Sequence, residues 1–296
     1  MNWFDKLKSG IRTLIRRNVP GNLWVKCERC HQTIYRKQVE ANAGICTHCG
    51  AHFRIGSREY LEVLIDPGTL EEVGSEVKAT DPLGFVDRKP YRDRLKESRK
   101  ATGMDAAICA GVGRIEGLSA GIGVHEPAFI MGTLGSAEGE RICRLIDRCI
   151  LDRLPLVLVC RSGGARMMES ALSLMQMAKI NAQLAELSSA GLPYISILTD
   201  PTTAGVSASY ALVGDVNIAE PNALIGFTGE RITGSSLTEE EMESLRGAQR
   251  AEKLLENGFL DMIVPRDEMK STVARLLRLL LSARPAAAEA TASRAG

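Results

Sequence analysis

Apolar and polar positions in the middle of the chain follow the order expected of an α/β protein. Leu156–Cys160 is an unbroken apolar run, which predicts a strand buried on both faces. The glycine-rich segment Ser162–Ala165 comes next. Met167–Leu187, rich in Ala, Leu, Met and Gln, then predicts a helix that ends before Gly191. The same order starts again with an apolar strand at Pro193–Leu198. This recurrence predicts parallel strands joined by right-handed crossovers.

The flanking segments extend this pattern on both sides. Before it, the chain predicts two strands around a tight turn and a helix with apolar residues at three-four spacing; after it come a turn-rich loop, a short helix and two strands. In chain order these segments are Ala107–Ile115, Leu118–Val124, Gly135–Leu151, Thr199–Gly205, Val206–Leu212, Val216–Ala219 and Ala223–Phe227. Residues 59–105 are more polar and contain Asp-Pro turns and one helical patch, Tyr91–Arg99.

Four of the eight cysteines lie close together near the N-terminus. Cys27, Cys30, Cys46 and Cys49 have the spacing C-x2-C-x15-C-x2-C, typical of a zinc ribbon, because each pair can present two thiolates to one tetrahedral ion. Chance pairs, two disulfides or a redox C-x-x-C are the alternatives. Disulfides are rare in the cytosol, and a redox motif requires a strand-to-helix context. We therefore predict one structural zinc ion, and we expect the scattered cysteines to be buried small hydrophobic residues.

Charge is divided unevenly along the chain, although the formal net charge is only +1. Residues 1–58 carry 11 Lys or Arg and 3 Asp or Glu, a balance of +8, which leaves −7 for the remainder. Residues 1–22 predict a basic amphipathic arm, 23–58 the ribbon, 59–284 the α/β body and 285–296 a disordered alanine-rich tail. No run approaches the roughly 18 apolar residues of a membrane span, and no cleavage site follows the arm, so we expect a cytoplasmic protein.

Each glycine-containing loop of the body follows a predicted strand and precedes a predicted helix. Free amides gather at a helix N-terminus, and the helix dipole favours negative charge there. Two uses fit: phosphate binding, or an oxyanion hole for a thioester enolate or tetrahedral intermediate. The P-loop and dinucleotide-binding glycine patterns are absent from the sequence, and Ser162 does not lie in a G-x-S-x-G elbow.

Histidine offers little acid–base chemistry to the body. Three of the four histidines belong to the ribbon, and only His125 lies in the body, where a structural role at a strand end is the commoner alternative. An enzyme built on this chain would therefore work by positioning and backbone electrostatics, with the base supplied by substrate or cofactor.

A series of segments, in order along the chain, resembles a single family. They are the four-cysteine ribbon, Ser162–Glu169, Leu174–Lys179, Gly191–Ser196, Thr199–Thr202, Gly205–Ser209, Asn217–Pro221, Ala223–Phe227 and Asp261–Val264. The likeness runs from Trp3 to about Leu281 and is to the beta subunit of bacterial acetyl-CoA carboxylase carboxyltransferase.

The resemblance implies a crotonase-type fold, an α/β superhelix of stacked ββα units, preceded by a small zinc ribbon. It implies an α2β2 assembly in which an alpha subunit holds carboxybiotin and this subunit holds the acyl-CoA. Biotin carboxyl carrier protein and biotin carboxylase are the further partners. The carboxyl group would pass from N1 of biotin to the methyl carbon of acetyl-CoA, giving malonyl-CoA for fatty acid synthesis, and the biotin ureido nitrogen would take the methyl proton.

The resemblance also implies the residues of the site. The backbone amides implied as oxyanion donors are those of Gly163, Gly164, Ala204 and Gly205. The implied substrate contacts are Arg166, Met131, Gly132 and Thr203. For Arg166 the expected role is CoA phosphate binding or loop support, and a structural salt bridge is the alternative.

The chain departs from the family pattern at several of these positions. Met131 replaces a glycine, so backbone that could approach a ligand now carries a long side chain. Ala204 also replaces a glycine, and we expect its amide to be offered only if φ is negative. Residues 125–128, Gly229–Ser236 and the acidic run Glu239–Glu241 differ as well. A divergent paralogue therefore remains an alternative: one acting on another acyl-CoA, in a specialised pathway or as an inhibitor-resistant copy.

A function of another class also fits the charge asymmetry. The basic ribbon could bind nucleic acid or an acidic protein surface, with the body as scaffold. The likeness of the body to the carboxyltransferase favours the enzyme.

Overall fold

The structure is a computed structural model that describes residues 23–227, 238, 240–241 and 247–282. The predicted arm, the predicted tail and the departure at 229–236 lie outside these residues. The chain divides into two compact units, Met1–Phe53 and Arg54–Gly296. This division precedes the predicted ribbon boundary, because Ser57 already belongs to the second unit, where its amide and hydroxyl each donate to the Glu126 carboxylate at 2.8 Å.

The first unit is a small hairpin followed by a short helix. Strands β1 (Trp24–Lys26) and β2 (Thr33–Tyr35) pair antiparallel, and helix α1 (Arg36–Ala41) follows. Its buried apolar side chains are three aliphatic residues, Ile34, Val39 and Ile45, and two of the ribbon cysteines. So small an apolar core is insufficient to hold a domain of this size, which is the usual reason for a structural metal.

The second unit is built on an eight-stranded sheet. Its strands are β3 (Glu71–Glu72), β4 (Ile108–Ile115), β5 (Leu118–His125), β6 (Leu156–Ser162), β7 (Tyr194–Thr203), β8 (Val216–Ala219), β9 (Ile225–Gly226) and β10 (Met262–Ile263). They lie in the order β10-β8-β7-β6-β5-β4-β3, and β9 pairs with the end of β7. β3, β4 and β5 pair antiparallel, whereas all other neighbours are parallel, as the crossover pattern predicts.

Helices cover both faces of this sheet. They are α2 (Ser57–Leu64), α3 (Tyr91–Thr102), α4 (Ser136–Asp152), α5 (Ala171–Ser189), α6 (Ala204–Ser207), α7 (Ala251–Glu256) and α8 (Arg266–Ser282). Leu156 and Leu158 of β6 are buried with residues of α4 and α5, whereas the alternate residues Val157 and Val159 are buried with residues of α2 and α8. This two-sided burial explains the unbroken apolar run. Within the described residues no helix is long and apolar enough to cross a membrane.

The predicted elements are present, but several have different bounds. β7 continues through the predicted loop to Thr203, because Thr202 and Thr203 pair with β9. α5 begins at Ala171, since Met167–Glu169 forms a separate 3-10 turn and Ser170 has a φ of +48°. The predicted helix 206–212 divides into α6 and a 3-10 turn, Tyr210–Leu212. Of the helices in the structure, α1, α2, α7 and α8 are absent from the predicted elements.

Two loops at the carboxyl ends of β5 and β6 are joined backbone to backbone. The Leu134 amide donates to the Gly164 carbonyl at 2.9 Å, and the Arg166 amide donates to the Leu134 carbonyl at 2.8 Å. The Gly163 amide donates to the Met131 carbonyl at 3.0 Å. The glycine loop is therefore fixed to its neighbour by three main-chain bonds.

The buried side chain of Arg166 connects the same two loops through hydrogen bonds and ion pairs. It is fully buried, and its Nη2 lies 2.8 Å from Glu138 Oε1 and donates to the Thr133 carbonyl at 2.6 Å. Its Nη1 lies 3.4 Å from Glu169 Oε1 and donates to the Tyr91 hydroxyl at 3.2 Å. One cation thus holds two carboxylates, a carbonyl and a phenol from four parts of the chain.

Both carboxylates also accept amides where α4 begins. Glu138 accepts from the Gly135 amide at 3.0 Å and from the Ala107 amide at 2.6 Å. Glu169 accepts from the Ser136 amide at 2.6 Å. Carboxylates are favourable at a helix N-terminus, so the network stabilises this end of α4 as well as the loops.

We expect Arg166→Met to lower the free energy of unfolding by about 3–5 kcal/mol, because it leaves two buried carboxylates without their counter-charge. Arg144→Met is the matched control, since Arg144 pairs with Glu140 on the exposed surface of α4 and should contribute at most about 1 kcal/mol. Urea denaturation of both variants measures the difference, and equal losses would contradict the assignment.

The same variant should have a distinctive pH dependence. Burial alone would raise the pKa of Glu138, but the charge and hydrogen bond of Arg166 hold this pKa below its ordinary value. In the unaltered protein the carboxylate therefore contributes stability that is lost as pH falls through the folded-state pKa. Without Arg166 burial raises the pKa, and protonation relieves the unpaired charge. The deficit of Arg166→Met should consequently shrink between neutral and acid pH.

Candidate functional site

The four ribbon cysteines converge in the first unit. Their Sγ atoms all lie within 4.8 Å of one another. Cys27 Sγ is 3.7 Å from Cys49 Sγ, and Cys30 Sγ is 3.7 Å from Cys46 Sγ. Four thiolates at about 2.3 Å from a tetrahedral zinc ion would be separated by about 3.8 Å, so this donor set fits Zn²⁺.

The local backbone explains why each pair converges. The His31 amide donates to the Cys27 carbonyl at 2.9 Å, and the Gly50 amide donates to the Cys46 carbonyl at 2.9 Å, so both pairs lie on tight turns. A disulfide needs about 2.05 Å between sulfurs, which excludes the two-disulfide alternative for this arrangement. The turn after Cys27 leads to β2 rather than to a helix, which disfavours the redox alternative.

Three loops of the second unit meet at the carboxyl ends of β5, β6 and β7. They comprise residues 129–135, 162–166 and 203–207. A Cβ built on Gly163 would lie 3.0 Å from Met131 Cε, and one built on Gly164 would lie 2.6 Å from Ala204 Cβ. The structure thus brings together the predicted site residues of all three loops, although they are far apart in the sequence.

The amides predicted as oxyanion donors differ in availability. The Gly163 amide already donates to Met131, and the Gly164 amide donates to Ser162 Oγ at 3.0 Å. Gly163 and Gly164 therefore stay predicted donors whose amides already have an acceptor, and either amide would have to share or exchange that acceptor to serve a thioester oxygen. Gly205 lies in the first turn of α6, where amides have no acceptor within the helix.

Ala165 is a candidate donor that the sequence analysis missed. Its amide donates to no acceptor within the described part of the chain, and the residue is half-buried beside Gly205. A β-carbon built on Gly205 would lie 3.7 Å from Ala165 Cβ. The position directly follows the glycine pair, but only the hydrogen-bond pattern distinguishes it from Gly163 and Gly164.

Both departures from glycine lie in left-handed backbone. Ala204 has a φ of +55°, so the negative φ on which we made the availability of its amide conditional is not present, and Met131 has a φ of +58°. Left-handed conformations are disfavoured for residues with a side chain, which explains why glycine suits these positions. Gly132, with a φ of +65°, cannot be replaced by a residue with a side chain, because a Cβ there would lie 2.3 Å from the Arg161 carbonyl oxygen.

Two of the predicted substrate contacts are buried in the fold. Arg166 has no exposed surface and is held by Glu138 and Glu169, so its guanidinium cannot reach a CoA phosphate; the structural ion pair, which was the alternative, describes it. Thr203 is buried and its hydroxyl donates to the Ser162 carbonyl at 3.2 Å. Met131, by contrast, is 52% exposed at the edge of the site.

His125 is a neutral structural residue. Its Nδ1 lies 3.2 Å from the Gly132 carbonyl oxygen, which can only accept, so Nδ1 carries the proton. Its Nε2 lies 3.0 Å from the Tyr210 hydroxyl and accepts from it. Burial lowers the pKa of His125 to about 4. Both ring nitrogens are engaged, so the histidine has no lone pair to offer as a base.

We expect chelation of the purified chain to release about one equivalent of zinc and to unfold the ribbon before the body. Both tryptophans, Trp3 and Trp24, precede residue 54, so tryptophan fluorescence reports on the first unit while far-UV circular dichroism is dominated by the second. Cys27→Ser should abolish metal retention and Cys109→Ser should not. A chain that folds with no bound metal would contradict the assignment.

Comparison with known proteins gives the same division of the chain. Residues 81–295 match the model of the carboxyl transferase domain, and residues 24–49 match that of the acetyl-CoA carboxylase zinc finger domain. A relative from Pelobacter propionicus, named acetyl-coenzyme A carboxylase carboxyl transferase subunit beta, is 48% identical and covers 97% of this chain and all of its own. A relative of the same name from Pedobacter heparinus is 45% identical and covers 95% of this chain and 99% of its own.

Solved structures confirm the crotonase-type fold. The transcarboxylase 12S structure with methylmalonyl-coenzyme A bound has a TM-score of 0.61 at 22% identity over 82% of this chain, which spans 42% of that one. A Pseudomonas malonate decarboxylase hetero-tetramer in complex with malonate has a TM-score of 0.60 at 21% identity, covering 80% and 86% of the two chains. At such identities the likeness establishes the fold alone. The matching domain models and the near-complete relatives together establish that this chain belongs to the acetyl-coenzyme A carboxylase carboxyl transferase subunit beta family.

Proposed function

We propose that this chain is the subunit of a biotin-dependent carboxyltransferase that holds acetyl-CoA while its methyl group is carboxylated to give malonyl-CoA. The observation that carries the proposal is the near-complete match to beta subunits at 45–48% identity, ribbon and body included. The geometry supports it, since three loops meet at the carboxyl ends of parallel strands and two of them offer backbone amides, at Ala165 and Gly205.

The reaction transfers a carboxyl group from a nitrogen atom of biotin to a carbon atom of acetyl-CoA. A bond forms between the methyl carbon of acetyl-CoA and the carboxyl carbon, the bond from that carbon to N1 of biotin breaks, and the methyl proton passes to biotin. The chain's task is to stabilise the negative charge that develops on the thioester oxygen. We assign this role to the amides of Ala165 and Gly205, because preorganised amides stabilise such charge without reorganisation.

The state of His125 agrees with a base outside the side chains of this subunit. Both nitrogens of His125 are engaged and burial lowers its pKa to about 4, so this imidazole is poorly suited to take the methyl proton. The family resemblance places that proton on the ureido nitrogen of biotin. The protein then contributes positioning and electrostatic stabilisation rather than proton transfer.

The proposal includes partner subunits. The family name denotes one subunit of a larger enzyme, and we propose an α2β2 complex with an alpha subunit that holds carboxybiotin. Biotin carboxyl carrier protein and biotin carboxylase would supply that group. Near-complete relatives of a single name favour this function over a nucleic-acid-binding module, for which a ribbon alone would suffice.

We expect the purified chain, mixed with its cognate alpha subunit, to decarboxylate malonyl-CoA when biocytin is present as acceptor. Each subunit alone should be inactive, because neither holds both substrates. The assay follows acetyl-CoA formation. An intact complex that does not turn over malonyl-CoA would contradict the proposal.

We expect His125→Gln to retain activity within about tenfold of the unaltered complex, because loss of a true general base costs about 10²–10⁴-fold. The glutamine amide can replace both polar contacts of the ring, and the pH–rate profile should keep its shape. A loss of about a thousandfold with an altered acid limb would assign the histidine a catalytic role.

A further inference from the structure

We infer that Met131 and Ala204 set the size of the acyl group that this subunit accepts, by filling the space on either side of Gly163–Gly164. The inference rests on the proposed function, because it concerns the same site. It is carried by two side chains that stand on left-handed backbone, a conformation that favours glycine, and that both contact this glycine pair.

Met131 covers the Gly163 side of the loop. A Cβ built on Gly163 would lie 3.0 Å from Met131 Cε and 3.5 Å from Met131 Cβ, so the thioether methyl packs directly on the glycine. The backbone around this contact is fixed, since the Gly163 amide donates to the Met131 carbonyl at 3.0 Å. The side chain is nevertheless 52% exposed, so it borders open space as well as the loop.

Ala204 covers the Gly164 side. A Cβ built on Gly164 would lie 2.6 Å from Ala204 Cβ and 3.5 Å from the Gly205 amide nitrogen. The alanine methyl therefore lies beside the first turn of α6, close to an amide that we assign to the thioester oxygen. Volume added here reduces the space next to the reacting group rather than at a remote surface.

Both residues adopt a backbone conformation that is unfavourable for a residue with a side chain. Their φ angles are +58° and +55°, a region that glycine enters readily and other residues do not. Two side chains added at disfavoured positions, against the same pair of glycines, form a narrower apolar wall than two glycines would. Met177 of α5 completes this wall, since its Sδ would lie 2.7 Å from a Cβ on Gly205.

The chemistry of the wall suits a short acyl chain. The thioethers of Met131 and Met177 and the methyl group of Ala204 offer dispersion contacts to the methyl group of an acetyl thioester. A longer acyl chain has to displace Met131 or Ala204 to occupy the same place. We therefore infer that this subunit discriminates against acyl groups longer than acetyl more strongly than a variant with glycine at both positions.

The test measures carboxylation of acetyl-CoA and propionyl-CoA by complexes reconstituted with the cognate alpha subunit. Met131→Gly and Ala204→Gly should each raise the ratio of kcat/KM for propionyl-CoA to that for acetyl-CoA by about tenfold or more, the effect of one methylene in an apolar pocket. The double variant should raise it further. Both substitutions remove side chains from left-handed backbone, so folding is not at risk.

Matched controls separate specificity from general effects. Met131→Leu keeps the side-chain volume and should leave the ratio unchanged, as should Met175→Ala, which removes an exposed methionine of α5. Titration calorimetry with both acyl-CoA esters gives the ratio of dissociation constants as an independent readout, which a merely structural role would not alter.

The outcomes distinguish this inference from the proposed function. In one outcome the unaltered complex transfers the carboxyl group while both glycine variants keep the ratio of kcat/KM for propionyl-CoA to that for acetyl-CoA within about twofold of its original value. That result overturns the inference and leaves the proposed function standing. A complex that neither binds nor carboxylates any acyl-CoA overturns both.

Discussion

The buried guanidinium of Arg166 is the constraint on which the rest of the site depends. It joins the loop after β5, the loop after β6 and the start of α4, through Thr133, Glu169 and Glu138. Each carboxylate also accepts amides near the helix N-terminus, so no charge in the group is left without a partner. Buried ion pairs of this kind contribute little net stability when intact but are costly to break, and such a network therefore specifies geometry more than it adds stability.

That geometry determines which backbone groups can meet a substrate. With the loops held by Arg166, the amide of Gly163 donates to the Met131 carbonyl and the amide of Gly164 donates to the Ser162 hydroxyl. The glycines serve close approach between the loops, since a Cβ on Gly164 would collide with Ala204. The donors that we propose lie one residue further along, at Ala165, and at the start of α6. In this proposal the glycine pair allows the close packing that presents the neighbouring amide.

His125, the one histidine of the body, has a structural role in the described part of the chain. His125 bridges the Gly132 carbonyl and the Tyr210 hydroxyl, and burial keeps it neutral. Its hydrogen bond to Gly132 joins the left-handed turn at 130–132, which carries Met131, to the end of β5. A substrate-supplied base and a fixed set of amides are complementary features, since charge can then develop on the thioester oxygen without a second titrating group nearby.

Local patterns were sufficient for much of this structure. The four cysteines could be assigned to one ion because each pair lies on a single turn, and the apolar run at 156–160 could be assigned to a doubly buried strand because its alternate residues serve both faces. The series of segments around the glycine loops was sufficient to identify the family that the chain resembles. The role of Arg166, the engagement of the Gly163 amide and the positive φ of Ala204 required the fold. Arg166 contacts Thr133 and Tyr91, which lie 33 and 75 residues away, and hydrogen bonding and side-chain burial depend on which loops are adjacent in space.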